Sequence, residues 1–404
     1  MSNQHGTLLD AVKGQPKQVW ITAFAAVIAF MGIGLVDPIL LSIAEGLHAT
    51  PSQVTLLFSS YLGVQVIAML VTGAASAKFG PKRTVLTGLL LIVAATALCA
   101  AAGSIEQLVA LRAMWGLGNA FFIATALSVI VGAATGGQSG AILLYEAALG
   151  VGLAVGPLLG ALLGSISWRG PFVGTAVLMA AALVLCSIFL AGDKHEKRSP
   201  IRLLDPLRAL KHPGLLRTSI GSALYTAAFF TVLAWTPFVL DFSAVAVGLI
   251  FCGWGLCVAV AGVVLAPKLA GKLGERHATV VSVLGYAVLM VVLVVPSKPV
   301  IVAAVILSGL VSGLLNTLFT GTAMSISTEP RPVASAGYNF CRWLGGAAAA
   351  TLVGHVAEWF GSEHAPFAIA AILCGSAGGL LTARTKAADP RRVPREATFV
   401  GEEL

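Results

Sequence analysis

The chain has 404 residues, of which 57% are hydrophobic and only 10% are charged, and its mean hydropathy is +0.93. Soluble domains carry about a quarter charged residues, so the composition excludes a soluble globular domain, a disordered chain, a coiled coil, a collagen and a disulfide scaffold. The remaining class is a membrane protein with several helices, because a helix satisfies its own backbone hydrogen bonds in lipid.

Twelve apolar segments are long enough to cross a bilayer, for which a helix needs about 20 residues. In chain order they are 19–47, 52–76, 84–102, 105–133, 139–166, 171–191, 215–241, 243–266, 278–296, 299–323, 333–360 and 364–384. The first is too long for a signal peptide. We therefore predict an all-α membrane fold of twelve transmembrane helices in two pseudo-symmetric six-helix bundles. The predicted parts are an N-terminal bundle at 1–191, a cytoplasmic linker at 192–214, a C-terminal bundle at 215–385 and a cytoplasmic tail at 386–404.

The positions of Lys and Arg predict the orientation of the chain. With a cytoplasmic N-terminus, 21 of the 25 basic residues fall in cytoplasmic segments, two (Arg169 and Lys298) fall outside, and two (Arg112 and Arg342) fall within spans. Positive-inside topology produces this asymmetry. We therefore predict a multi-pass protein of the cell (inner) membrane with both termini in the cytoplasm. The net charge of +8 then reflects topology and not nucleic-acid binding.

The two halves of the sequence resemble each other. Gly116–Ser128 in the fourth span aligns without gaps on Gly313–Ser325 in the tenth, at an offset of 197 residues. The loop Ala77–Arg83 after the second span aligns on Gly271–His277 after the eighth, at an offset of 194. A six-helix unit repeated in parallel is the architecture of transporters that move two halves about a central site.

Four segments are similar to signatures of the major facilitator superfamily, and within it of the twelve-helix drug:proton antiporters. They are GAASAKFGPKR at 73–83, LRAMWGLG at 111–118, GVGLAVGPLLG at 150–160 and SWRGPF at 167–172. The resemblance implies a major facilitator fold and a gating or sealing role for Gly73, Lys78, Gly80, Arg83, Gly150, Gly156, Pro157 and Gly160. The chain departs from the first signature at Ala77, where the family has an Asp that helps to latch the halves together.

Four ionisable residues fall well inside the predicted spans: Asp37, Arg112, Glu146 and Arg342. Such residues cost about 2.5–3.5 kcal/mol to insert and usually mark function. Our hypothesis is that Asp37 and Glu146 carry protons and that Arg112 is their electrostatic partner. Each of the four residues also has an alternative role that is only structural. In these alternatives Arg112 bonds backbone carbonyls, Asp37 caps the helix break at Pro38, Glu146 forms a structural hydrogen bond, and Arg342 extends to the membrane surface.

An apolar cavity with a few polar groups is the expected site for hydrophobic compounds. The candidate lining residues have aromatic, amide or other large side chains and lie on spans expected to face the centre of the helix bundle. They are Phe30, Met31, Tyr61, Gln65, Asn119, Tyr225, Phe229, Trp235, Trp254, Asn316, Asn339 and Arg342. Each aromatic residue taken alone fits a lipid-facing or core position better than a binding position, and the case for a binding site rests on the set as a whole.

The sequence contains no motif for catalysis, nucleotide binding or a metal. The six cysteines lie in apolar segments without a CxxC pair, and His355 and Glu358 are an isolated pair. We predict a monomeric secondary antiporter, not an enzyme. It needs no cofactor and exports small lipophilic compounds, cationic or neutral, in exchange for protons. The alternatives are an exporter or flippase of one metabolite, sugar or lipid, an uptake symporter, and a membrane sensor or assembly factor that does not transport.

Overall fold

The computed structural model describes residues 15–134, 138–192, 204–327 and 331–382, and within these ranges the chain forms twelve long helical spans. Spans 1 to 6 are Lys17–Gly34 continued by Leu40–Leu47, Pro51–Phe79, Pro81–Ala101, Ile105–Ala133, Gln138–Gly164 and Gly170–Phe189. Spans 7 to 12 are Pro213–Leu240, Ala244–Val260 continued by Ala266–Leu273, Glu275–Val292, Lys298–Ile326, Arg331–Phe360 and Ala365–Thr382. The prediction of an all-α membrane fold with twelve spans is confirmed.

The helix starts are set by local sequence signals. Span 2 begins with a capping box, in which the Thr50 backbone amide donates to Gln53 Oε1 at 2.9 Å and the Thr50 hydroxyl accepts from the Gln53 amide at 3.3 Å. Proline occupies the first helical position of spans 2, 3 and 7. A proline is tolerated there because the first amides of a helix have no partner within it.

Eleven of these helices, searched over the described residues, are long and apolar enough to cross a membrane. The other long helix is span 11. It has 30 residues, or about 45 Å of helix, but carries Arg342 and many small residues. It packs against spans 2 and 7 inside the bundle, so its lower hydropathy follows from its contacts with protein.

Two spans are interrupted at identifiable residues. Span 1 ends its first helix at Gly34, makes a 3₁₀ turn at Asp37–Ile39 and resumes at Leu40, because Pro38 has no amide hydrogen to donate. The Asp37 side chain lies outside the described residues, so the predictions that it carries a proton or caps this break stay predictions. Span 8 contains a π turn at Ala261–Leu265 and then continues to Leu273, beyond the predicted end at 266. Lys272 in its last turn stabilises this extension, since a cation favours the negative end of a helix.

The contacts between spans repeat in the two halves. Spans 2 and 4, 1 and 5, and 3 and 6 pack together in the first half, as do spans 8 and 10, 7 and 11, and 9 and 12 in the second. A side chain at Gly116 would overlap the Tyr61 carbonyl, and one at Gly313 would overlap the Val258 carbonyl. Tyr61 and Val258 are 197 residues apart, which is also the distance in sequence between Gly116 and Gly313. The sequence repeat is therefore also a structural repeat.

Part of the predicted linker at 192–214 is described. It includes a short helix, Asp205–Ala209, whose Pro206 carbonyl lies directly against Gly337 near the N-terminal end of span 11. The described residues leave out 193–203 and 383–404, so much of the predicted linker and the whole of the tail at 386–404 lie outside them, and the predicted division into parts stays a prediction.

Candidate functional site

The two halves meet along two pairs of helices, spans 5 and 8 and spans 2 and 11. Between spans 5 and 8 the backbones are in contact, because a side chain at Gly150 would lie 2.6 Å from the Cα atom of Ala259. Gly255 lies equally close to Ala154 from the other helix. Between spans 2 and 11, the Ser59 and Thr351 hydroxyls are hydrogen-bonded at 3.1 Å. These contacts lie in the middle of the spans and towards the ends that are predicted to face outwards, which we call the outer side, and they hold the halves together there.

The glycines of span 5 serve two interfaces, one with span 1 in the same half and one with span 8 in the other half. Gly156 and Gly160 lie against the carbonyls of Met31 and Leu35 in span 1, within the same half. Gly150 faces span 8 in the other half, and the carbonyl of Pro157 approaches Gly248 there. Two of the four span 5 residues expected to seal the entry, Gly156 and Gly160, therefore hold span 5 to span 1, because glycines four residues apart share one helix face and Gly150 lies on another.

A central cavity lies between the halves, with a volume of about 10 Å³. This is room for about one water molecule. Its walls come from spans 1, 5, 7, 10 and 11, and its lining residues are Ile33, Leu149, Leu153, Thr226, Phe229, Phe230, Asn316, Arg342 and Trp343. Three of the predicted binding residues, Phe229, Asn316 and Arg342, line it.

Arg342 is the centre of a polar cluster at this cavity. Its side chain is 7% exposed, and Nη2 donates to Asn316 Oδ1 at 2.9 Å. The Tyr225 hydroxyl donates to the same Oδ1 at 3.1 Å and lies 3.2 Å from the Ser312 carbonyl oxygen. The alternative in which Arg342 extends to the membrane surface is therefore wrong, because its guanidinium group is held inside by these partners.

Glu146 joins the two halves from the N-terminal third of span 5, the part predicted to lie towards the cytoplasm. Its side chain is 3% exposed, and Oε1 accepts a hydrogen bond from the Thr320 hydroxyl at 3.1 Å across the interface between spans 5 and 10. Among the described residues, Oε2 has no hydrogen-bond partner. The cation that acts on this carboxylate is Arg342. The expectation that Arg112 is the electrostatic partner of Glu146 is therefore corrected, because the cation whose charge acts on Glu146 is Arg342.

Arg112 is fully buried in the first half. Its Nε donates to the Leu57 carbonyl at 3.4 Å, and its guanidinium carbon lies 4.5 Å from the centre of the Tyr61 ring and 4.7 Å from that of Trp115. These contacts agree with the structural alternative, in which the Arg112 side chain bonds a backbone carbonyl of a neighbouring helix.

Most of the other predicted binding residues form packing clusters beside the cavity. In the first half, the Asn119 amide bonds Tyr61 and Gln65 inside a fully buried group. Phe30 packs edge-on against Tyr145 at 5.4 Å, and Met31 contacts span 5 through its backbone.

In the second half, Trp254 donates to the Ser308 hydroxyl at 3.1 Å, and the half-buried Asn339 donates to Ser335 at 3.2 Å. Trp235 is the clear exception. Its indole donates to the Glu363 carbonyl at 2.7 Å, at the outer end of the bundle, so it does not belong to the central site. It lies nine residues beyond the cavity-lining Thr226 and six beyond Phe229, which places it nearer the outer surface.

The basic loop residues cap helix ends. Lys82 Nζ donates to the Leu190 carbonyl at the end of span 6, at 2.7 Å. Its counterpart at the repeat offset of 194, Arg276, donates to Leu381 and Thr382 at the end of span 12. Gly80, with φ of 90°, makes the turn between spans 2 and 3, and Lys78 and Arg83 are exposed beside it while Gly73 is buried. The gating role of these residues stays a prediction.

The described residues contain no group of three or more His, Cys, Asp or Glu side chains that could hold a metal. His355 and Glu358 form an exposed pair at 3.4 Å near the outer end of span 11. The sequence reasoning missed Thr320 and Ser312, although their spacing of four residues from Asn316 is visible in the sequence as one polar face of span 10.

The chain matches the model of the Major Facilitator Superfamily over residues 22–350. It is 44% identical over 362 residues to the multidrug efflux protein YfmO of Bacillus subtilis (strain 168), which covers 89% of this chain and 91% of that protein. It is 32% identical over 351 residues to a chloramphenicol resistance protein of Streptomyces lividans, covering 81% of this chain and 85% of that protein.

A solved structure has the same fold. The human organic anion transporter MFSD10 (TETRAN) gives a TM-score of 0.76 at 17% identity, covering 90% of this chain and 99% of that chain. The predicted architecture and the family resemblance are therefore confirmed by two independent kinds of comparison, one of sequence and one of structure.

Proposed function

We propose that this chain, which belongs to the major facilitator superfamily of membrane transporters, is a proton-coupled antiporter that exports small lipophilic compounds from the cell. The family supports a transporter and not an enzyme. The relatives named for multidrug efflux and chloramphenicol resistance support a drug-type substrate. The proposed location is the cell membrane, with both termini in the cytoplasm, because the basic residues are concentrated on that side.

The observation that carries the proposal is the position of Glu146. It is a buried carboxylate at the interface of the halves, bonded to Thr320 and electrostatically coupled to Arg342 at the cavity. A carboxylate in such a place is stable only when it is protonated or close to a cation. Its proton occupancy therefore depends on how the halves are arranged, and this is the link that antiport requires.

The cavity is too small for a drug-sized substrate, so transport requires the two halves to move apart. A site for a drug-sized compound is about 300–1,000 Å³, whereas the cavity here has about 10 Å³. The halves must therefore separate before a substrate enters, and the outer contacts between spans 5 and 8 must break before it leaves. The apolar walls formed by Leu149, Leu153 and Phe229 suit a lipophilic substrate.

A second candidate is the export of lipophilic anions. The charged side chain that lines the cavity is Arg342, not an acid. A substrate anion would pair with that guanidinium when Glu146 is protonated. This differs from the cationic or neutral substrate expected from the sequence, and the charge of the transported probe decides between the two.

The test uses purified protein in liposomes with an acidic lumen. A permanently charged lipophilic cation, a lipophilic sulfonate and a neutral dye are supplied outside, because none of them accumulates through its own protonation. We expect protein-dependent accumulation of at least one probe in the wild type. Glu146→Gln should abolish it, whereas Glu106→Gln, at an exposed position in span 4, should not. Equal accumulation by wild type and Glu146→Gln would contradict the role of Glu146. No accumulation of any probe would contradict the proposed export.

A further inference from the structure

Span 10 carries four polar residues at intervals of four: Ser308, Ser312, Asn316 and Thr320. All four are buried, with at most 3% of each side chain exposed. Residues four apart lie on one face of a helix, so these side chains form a continuous polar face about 18 Å long. We call this set the span 10 polar face.

Each member of the span 10 polar face has a partner on another helix. Ser308 accepts from Trp254 of span 8, and the Ser312 carbonyl and Asn316 accept from Tyr225 of span 7. Asn316 also accepts from Arg342 of span 11, and Thr320 donates to Glu146 of span 5. The polar face therefore runs from the middle of the bundle, past the central cavity, to the Glu146 carboxylate.

Several polar atoms along this face are buried without a hydrogen-bond partner among the described residues. They are Ser312 Oγ, Asn316 Nδ2 and Glu146 Oε2. Buried polar groups in folded proteins are nearly always paired with protein or water. Two such atoms on the span 10 polar face and one on the carboxylate of span 5 that it reaches indicate a path that takes up water when the cavity opens, since bridging waters need about two to four polar partners.

The repeat shows that the fold does not require this face. At the offset of 197 residues, span 4 has Leu111, Trp115, Asn119 and Ile123 in the equivalent positions. Only the asparagine is shared, so span 4 has no continuous polar face at this place. The other three polar residues are specific to span 10, which is bonded to Glu146 through Thr320 and to Arg342 through Asn316.

We propose that the span 10 polar face is a water-binding path that carries protons between the central cavity and Glu146. Thr320 is a positioning residue in this path, because its hydroxyl holds Glu146 Oε1 and leaves Oε2 directed to the waters. A proton from water adds to Oε2 in one arrangement of the halves and returns to water in the other. This inference rests on the proposed proton coupling and specifies the route.

The charges around the route belong to the same group of helices. Among the residues that the structure describes, the charge of Arg342 acts on Glu146, and Tyr338, Tyr225 and Tyr145 interact electrostatically with Arg342. Tyr145 also lies in the field of Glu146, and the hydroxyl of Tyr286 on span 9 faces Ser312. Arg342 is the only cation in this set. When Glu146 is protonated, the positive charge of Arg342 has no negative counterpart in this set. The protonation of Glu146 therefore changes the electrostatic potential in the cavity that Arg342 lines.

The experiment compares Thr320→Val with Thr320→Ser, which keeps the hydroxyl, and with Thr317→Val. Thr317 lies off the polar face and donates to the Gly262 carbonyl at 3.1 Å. Reconstituted variants are assayed for probe accumulation driven by a pH gradient, as a function of pH, and for probe exchange across the membrane without a gradient. Size-exclusion profiles and thermal stability show whether each variant is folded.

We expect Thr320→Val to lower gradient-driven accumulation by about tenfold and to shift its pH dependence, the effect of losing one hydrogen bond to a charged group. Exchange without a gradient should be retained, and Thr320→Ser and Thr317→Val should behave as wild type. Ser312→Ala, which keeps the carbonyl that accepts from Tyr225, should slow gradient-driven accumulation in the same way. If Glu146→Gln loses coupling while Thr320→Val and Ser312→Ala retain it with an unchanged pH profile, the path is wrong and the proposed function stands. If the wild type accumulates no probe, the proposed function fails and the path falls with it.

Discussion

The contact between spans 5 and 8 gives the most direct prediction about how the halves move. A methyl group at position 150 would lie 2.6 Å from the Cα atom and 2.7 Å from the Cβ atom of Ala259. Carbon atoms in ordinary contact are about 3.5–4.0 Å apart, so Gly150→Ala must displace span 8 by about 1 Å. Because the two spans belong to different halves, the displacement is relieved by opening the outer side and not by repacking one half.

The size of the effect follows from the cost of overpacking, which is about 1–3 kcal/mol. If this free energy destabilises only the closed arrangement, the ratio of opened to closed molecules rises by a factor of about 5–150. Gly116→Ala is the matched control. Its methyl group would overlap the Tyr61 carbonyl within the first half, so it should lower thermal stability without opening the outer side.

The assay is a distance measurement between spin labels at Ile166 and Phe360. Both are exposed, and they lie at the outer ends of spans 5 and 11 in opposite halves. The native cysteines are first replaced. We expect Gly150→Ala to move the distance distribution to longer values in lipid nanodiscs and Gly116→Ala to leave it unchanged. An unchanged distribution in Gly150→Ala, or the same opening in Gly116→Ala, would refute the reasoning.

Two further predictions concern residues outside the central site. Trp235→Phe removes the indole donor to Glu363 at the outer end of span 7 and should leave probe affinity in a binding titration unchanged. A clear loss of affinity would show that Trp235 contributes to probe binding and would contradict this assignment. Arg217→Ala removes hydrogen bonds to the Leu380 and Leu381 carbonyls at the end of span 12, at 2.6 and 2.7 Å. It should lower the free energy of unfolding by about 1.5–3 kcal/mol, seen as a lower melting temperature in detergent, whereas alanine at the exposed Lys268 should have no effect.

The sequence was sufficient for the architecture because hydropathy and charge act locally. Three signals were enough: the twelve apolar segments, the asymmetry of Lys and Arg, and the aligned repeats at Gly116 and Gly313. Each can be recognised from the sequence without knowing which distant residues are in contact. The break in span 1 has a local signal in Pro38, although Pro157 and Pro237 lie inside helices that continue past them. The extension of span 8 to Leu273 was missed, because polarity in the last turns of a helix resembles a loop in a hydropathy profile.

The site was only partly predictable because its partners come from different spans. Asn316 and Arg342 were both candidates, but nothing in the sequence shows that they form a hydrogen bond with each other. Glu146 was recognised as an unusual buried acid, whereas its partners Thr320 and Arg342 depend on how spans 5, 10 and 11 pack. Trp235 was misplaced because an aromatic residue near a span centre and one near its outer end differ little in sequence.

The central claim is that substrate movement is coupled to protons through Glu146. The most direct measurement is of proton flux itself. Liposomes that contain the protein, a lumenal pH-sensitive dye and no pH gradient receive an outward-directed gradient of the transported probe. In the wild type, probe leaving the lumen should drive protons into it, so that the lumen acidifies. The Glu146→Gln variant should release probe without any change in lumenal pH. The same acidification in the variant, or probe release from the wild type at constant lumenal pH, would contradict the claim.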